Sequence, residues 1–548
     1  MGAILRCGEN VLEVAKSLAA LNPADLTDDR SERTPVYFEL LGSLAVSYPI
    51  WVGGIINFGA SMLCVVVVSR KLAYISKKTD LTIFDLFVEM VLICFGRFVS
   101  LLMGVMWAIG TAKILEMANR TMAWFDSLYL LFFLYVMPTI VADILVTKTF
   151  EKLLLNWWPA NYGFNSRISG LVFMSAHIIF VLLTMLGTYS NIASTFLPMF
   201  FVLFPLFGTL LCKSADSIWT ALFTALPIAC CSYIVVVLIP FFAAIQGRNG
   251  VSANPEMSIG IASSVFAFII LNYSGAKIPK DKFALHLAAI LSFAWAALLL
   301  AILLTPIGFP YTKGHQVKRY RVLHTVKTAF KSDVVISNHE GMAIAEEDFH
   351  WVDLTGIVPN YENRIMPTND DCREELNCGH PFRRRWENTN DSSRMYWVSA
   401  KGPTIPENLR LGVRLLSSQD LGEGLKRLTF HIRGPSNIDV IMSPNGQLEE
   451  WSFADGYPGH GGEWKEGRYA FTVGFAKGGK EAAKDGGLEA EFWIIVRDTT
   501  SITLAATGHI QHGSSDMQKE LREFVDHFPE WAFPAAWTVD YKSYELEL

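Results

Sequence analysis

Charge is scarce in this chain of 548 residues: 18% of them are Asp, Glu, Lys or Arg, against about 25% in ordinary globular proteins. The shortage is local. Residues 43 to 305 hold 15 Lys or Arg and 10 Asp or Glu, whereas residues 306 to 548 hold 27 and 35. One part is lipid-soluble and the other is an ordinary water-soluble domain, which excludes a purely soluble enzyme and a disordered chain. Positive charge is not in excess either. A net charge of -6 offers no basic surface to neutralise phosphates, so nucleic acid is excluded as a partner. Neither H-E-x-x-H nor G-x-S-x-G occurs, and no cleavable signal follows Met1, where the sequence is polar and helical in pattern.

What is present is a series of long apolar runs. A helix needs about 20 apolar residues to cross roughly 30 Å of hydrocarbon. Eight segments qualify, near 44–68, 84–109, 127–147, 168–189, 191–212, 217–245, 256–273 and 284–305. These exclude a single-pass anchor, and an even number returns the chain to its starting side. Lys and Arg in short loops resist translocation. Alternate loops carry Arg70, Lys71, Lys77 and Lys78, then Lys148, Lys152 and Arg167, then Lys213, then Lys277, Lys280 and Lys282; the opposite short loops carry only Lys113, Arg120 and Arg248. The first set is expected to be cytosolic and both termini lumenal or extracellular. The sequons at Asn119 and Asn390 fall on the non-cytosolic side, where glycosylation occurs. A lumenal start without a signal implies either that the first span inverts on insertion or that an upstream anchor is missing.

Five of the eight cysteines, Cys64, Cys94, Cys212, Cys230 and Cys231, lie in spans, where a thiol acts as a small apolar group. Cys372 and Cys378, in a loop of the polar half, fit a local disulfide of an oxidising compartment; two free thiols or metal ligands are the alternatives. After Pro306 the helical period gives way to short alternating runs at 396–400, 409–416, 425–434, 438–442, 469–475, 488–497, 502–509 and 537–546. They predict an antiparallel β-sandwich. A helix from Ser514 to His527 precedes the last strand, with Leu521, Phe524 and Val525 as its apolar stripe. The sequence thus divides at 1–42, 43–305 and 306–548, and within the first part Glu9 to Leu21 forms an amphipathic helix too short to be stable alone.

Chemistry is thin. His509 and His512 sit at a strand end, where that spacing does not converge on a metal. His177 and His286 lie inside spans, where a lone His more often bonds a neighbouring helix than relays protons. Trp157, Trp158 and Tyr162 form an interfacial anchor. Asp85, Glu89 and Arg97 share one face of the second span. Their two readings are a polar pathway and a structural ion pair, in which Glu89 meets Arg97 through a neighbour.

Several stretches resemble the endoplasmic reticulum metallopeptidase family, membrane-bound relatives of the aminopeptidase-type zinc peptidases. They are the closing run from Phe528 to Trp537, His324 to Phe330, the Cys372 and Cys378 pair before Gly379, and Tyr48-Pro49 with Gly53 to Asn57. The resemblance implies an endoplasmic reticulum membrane protein with a lumenal peptidase domain, eight further spans and a lumenal β domain. Gly8 to Leu18 resembles the last helix of the peptidase domain, so that domain and every zinc ligand are expected to be missing from this chain. No catalytic, cofactor-binding or metal residue carries over. The implied role is an accessory membrane and lumenal portion that anchors the peptidase or presents peptide or protein substrates. A transporter and a noncatalytic membrane scaffold with a lumenal binding domain are the alternatives.

Overall fold

The structure, a computed structural model, describes the chain apart from residues 1–34 (save 11, 12 and 16), 41–43, 80, 158–163, 212–217, 249–253, 274–280, 332–333, 368, 382–393, 454–461, 466–467, 477–486 and 512–518. The helix expected from Glu9 to Leu21 lies largely outside the described residues, and Asn390, Cys212, Trp158, Tyr162 and His512 lie wholly outside them. Two compact units emerge. The first comprises residues 1–108, 135–240 and 261–295, the second 109–134, 241–260 and 296–548.

Each of the eight apolar segments contains a helix among its described residues: α1 Ile50–Thr79, α2 Ile83–Met117, α3 Met137–Trp157, α4 Phe164–Tyr189, α5 Phe196–Leu211, α6 Ile218–Arg248, α7 Pro255–Leu271 and α8 Asp281–Leu304. Among the described residues, α1 to α5 and α8 are long and apolar enough to cross a bilayer; the described apolar parts of α6 and α7 are shorter. Residues 44–49 are not the start of the first span. They form strand β2 (Leu44–Pro49), antiparallel to β1 (Pro35–Leu40). The alternation buries Val36 and Phe38, and Phe38 stacks on Phe196 at 4.0 Å. A wide π-type turn at Phe132–Val136 leads into α3, next to Pro138, whose missing N–H breaks the regular ladder.

Among the described residues, the polar half of the second unit holds twelve strands: β3 Lys318–Lys331, β4 Val334–Glu346, β5 Met395–Ser399, β6 Gly412–Gly422, β7 Leu425–Pro435, β8 Asn437–Pro444, β9 Gln447–Trp451, β10 Gly462–Lys465, β11 Arg468–Ala476, β12 Gly487–Arg497, β13 Ser501–Ile510 and β14 Ala532–Glu547. They make an eight-stranded sheet in the order β10-β11-β8-β13-β14-β3-β4-β5 and a four-stranded sheet in the order β6-β7-β12-β9. The expected pure antiparallel sandwich is corrected in one place: β14 runs parallel to β3 over its full length. These are the last and first strands of the domain. No hairpin joins them, so nothing forces opposite directions.

The two sheets face each other through Phe430, Ile432, Val440, Met442, Phe492 and Leu504. Tyr320, Val322, Met342 and Ile344 of the longer sheet are covered instead by Leu354, Tyr361 and the short helix α10 (Lys519–Val525), which contributes Leu521 and Phe524. That is the stripe expected from the sequence. A six-residue helix, α9 (Asn369–Glu374), starts the segment that contains Cys372 and Cys378.

Candidate functional site

The charged face of α2 separates into three unlike environments. Asp85 is half-buried and caps its own helix: its carboxylate accepts from the Thr82 N–H at 3.2 Å, while the Thr82 hydroxyl accepts from the Asp85 N–H at 3.1 Å. This is a reciprocal capping box. Glu89 and Arg97 are buried, but with separate partners. Glu89 meets Arg167 of α4 at 3.2 Å, and Arg97 meets Asp143 of α3 at 2.5 Å. The Ser100 hydroxyl also donates to Asp143 at 2.9 Å. A link from Glu89 to Arg97 through a shared neighbour is therefore not what forms. Each carboxylate faces its own guanidinium, and the two pairs tie α2 to α4 and to α3. Neither partner is marked by local sequence, because Arg167 stands just before the fourth apolar run and Asp143 is 46 residues from Arg97.

A buried polar cluster lies in the second unit, around the start of β3. Lys318 and Glu346 are both fully buried and pair at 2.6 Å, with the Tyr396 hydroxyl donating to Glu346 at 2.9 Å. Lys318 also donates to the His350 carbonyl and lies over the rings of Tyr311 and Tyr320, at 5.6 and 5.1 Å. Asp348 accepts from the Arg319 backbone N–H at 2.6 Å and from its guanidinium at 2.5 Å. Arg394 donates to the carbonyls of Asp348 and Phe349. Burial lowers the Lys318 ammonium from its usual range, against the pull of Glu346, and raises the Tyr311 phenol well above its own.

This cluster seats the loop that follows α2. His350 Nδ1 lies 3.2 Å from the Thr121 hydroxyl, Thr312 donates to Asp126 at 2.6 Å, and Phe125 meets Tyr311 edge-on. On its other side the loop reaches the start of α7. The Trp124 indole N–H donates to Glu256 at 3.1 Å, and the same carboxylate accepts the Met122 N–H. Met122, Trp124 and Glu256 are completely buried. Sequence reading missed this joint because its members come from four distant segments. The signal in hindsight is Glu256, a carboxylate at the head of an apolar helix with Pro255 before it.

Cys372 and Cys378 are disulfide-bonded. Cys378 and Gly379 both have left-handed backbone, φ 54° and 66°, and Leu376 between the cysteines is buried against Ile441, Ala505 and Tyr541. Asn119 is exposed, at φ 51°, beside the seated loop. His177 bonds within its own helix, to the Phe173 carbonyl at 2.9 Å. His509 lies 3.3 Å from Asp439 and accepts the Trp537 indole N–H at 3.0 Å. Among the described residues no three His, Cys, Asp or Glu side chains converge as metal ligands.

The architecture defines a class: a set of apolar helices long enough for a bilayer, followed by a large mixed-sheet domain whose base is locked by buried charge. Residues 315–544 match the family described as Endoplasmic reticulum metallopeptidase 1, C-terminal domain. The chain is similar to endoplasmic reticulum metallopeptidase 1 of Mus musculus, 24% identical over 570 residues, which cover 98% of this chain and 59% of the mouse protein. The protein of that name from Homo sapiens is also 24% identical, over 577 residues and with the same shares. Residues 315–544 thus carry that family's C-terminal domain, and the chain spans about 59% of the length of these relatives.

Proposed function

We propose that this chain is the membrane and lumenal accessory portion of an endoplasmic reticulum metallopeptidase, with eight spans and both ends of the described chain on the lumenal side. In this role it anchors the β domain at the membrane and holds it in one place, where it presents peptide or protein substrates. The names of the relatives and the long apolar helices support the compartment.

The observation that carries the reading is the seating of the loop after α2. That loop touches both the start of α7, through Glu256, and the domain that follows α8, through His350 and Thr312. All three must lie on one side of the bilayer, so an even number of helices crosses between each contact. Between the loop and Glu256 come α3, α4, α5 and α6. Three of these are long enough to cross, so parity favours α6 as a fourth. Between Glu256 and the β domain come α7 and α8, and parity favours crossing by both.

The test is protease digestion of sealed microsomes carrying the full chain with a tag after Leu548. Protection of the tag until detergent is added is the expected result. Digestion from outside places the β domain in the cytosol and overturns the reading.

A further inference from the structure

We infer that the joint between the β domain and the loop after α2 is an acid-labile latch, closed while His350 is neutral and released when that imidazole takes up a proton. His350 is buried at the contact itself, 3.2 Å from Thr121. The groups around it already favour cations. Lys318 of β3 donates to its carbonyl, Arg394 ahead of β5 donates to the adjoining Phe349 carbonyl, and Arg120 lies in the loop next to Thr121. Tyr311 and Phe309, from the segment after α8, pack on the ring at 5.8 and 6.2 Å and supply no charge. The nearby carboxylates are engaged elsewhere, Glu346 by Lys318 and Asp348 by Arg319. Glu256 lies on the far side of the loop, where it accepts from Met122 and Trp124. An imidazolium would therefore be one more buried cation with no anion of its own.

Burial, with Lys318, Arg394 and Arg120 adding to it, lowers His350 from 6.5 to about 3. The open form, with His350 in water, takes up a proton below about 6.5, whereas the closed form does not until far lower. The contribution of neutral His350 to closure is thus present above pH 6.5 and is lost progressively as pH falls towards 3. With those limits, the ratio of closed to open falls about twentyfold between pH 7 and pH 5.

Amide hydrogen exchange of the full chain in detergent, corrected for the intrinsic effect of pH, reads this directly. The expected result is that protection of residues 118–128 and 309–317 drops about twentyfold between pH 7 and pH 5, while β13 keeps its protection. In a His350→Gln chain the pH dependence at 118–128 should vanish. A native loop whose protection is the same at both pH values overturns the latch, as does a His350→Gln chain that retains the native decline. Should that variant not accumulate, the contrast between the loop and β13 in the native chain still decides.

Discussion

Arg97 and Glu89 occupy an apolar helix interior at a cost that only their partners offset. Removing one member of a buried ion pair leaves the other charge unpaired and costs about 3–5 kcal/mol, whereas replacing both with apolar residues of similar size is often nearly neutral. Asp143→Ala is therefore expected to lower thermal stability in detergent sharply, and Arg97→Met with Asp143→Leu to restore most of it. A double variant as unstable as the single one would show that Arg97 and Asp143 are held by something other than each other. That both charges are buried was legible in the sequence, since a charge in a span has nowhere else to go. The pairing was not. Asp143 is 46 residues from Arg97, and Arg167 is 78 from Glu89. Adjacent placement on one helix face could not reveal that each looks towards a different neighbour.

At the level of elements, the disulfide closes a loop with a sequence separation of 6 residues and pins Leu376 against the sheet. Loop-closure entropy for so short a ring is about 2 kcal/mol. A Cys372→Ser, Cys378→Ser chain should lose about that much, read as an earlier unfolding transition in denaturant; an unchanged transition would mean that the loop is fixed by its contacts alone.

Seven of the eight expected strands match closely in place because hydrophobic alternation bounded by turn residues marks them well. β6, expected at 409–416, instead spans Gly412–Gly422, where bulges near Leu416 and Leu421 break the alternation. β3 and β4 went unread for a different reason. The buried positions of β3 include Lys318, His324 and Thr325, which look like surface residues until Glu346 and the Lys401 carbonyl supply their partners. Likewise Leu44 to Pro49 passed for lipid-facing helix because β1, which pairs with it, is itself half apolar.

On the scale of the whole molecule, the seated loop and the sequon next to it make a single statement about sidedness. Asn119 is exposed while Thr121 is buried against His350. A glycan attached before folding can therefore project from the finished joint. Expression in cells that glycosylate, followed by endoglycosidase treatment, should give a mobility shift that Asn119→Gln reduces by one step. A chain whose mobility is unchanged by the enzyme would count against the lumenal placement of this loop. The gross division into apolar helices and a β domain is readable from charge density, run length and alternation. The joint was not, because it assembles residues near 121, 256, 311 and 350, which no local pattern connects.

That scattered assembly bears on how the chain is made. Residues 121–126 leave the ribosome well before Glu256 and His350 are translated, so every nascent copy passes through a period when the Trp124 indole and the Met122 amide have no acceptor. A message that stops before codon 256 would leave that bare tryptophan permanently on show to chaperones, whereas one that stops after 350 could hide it.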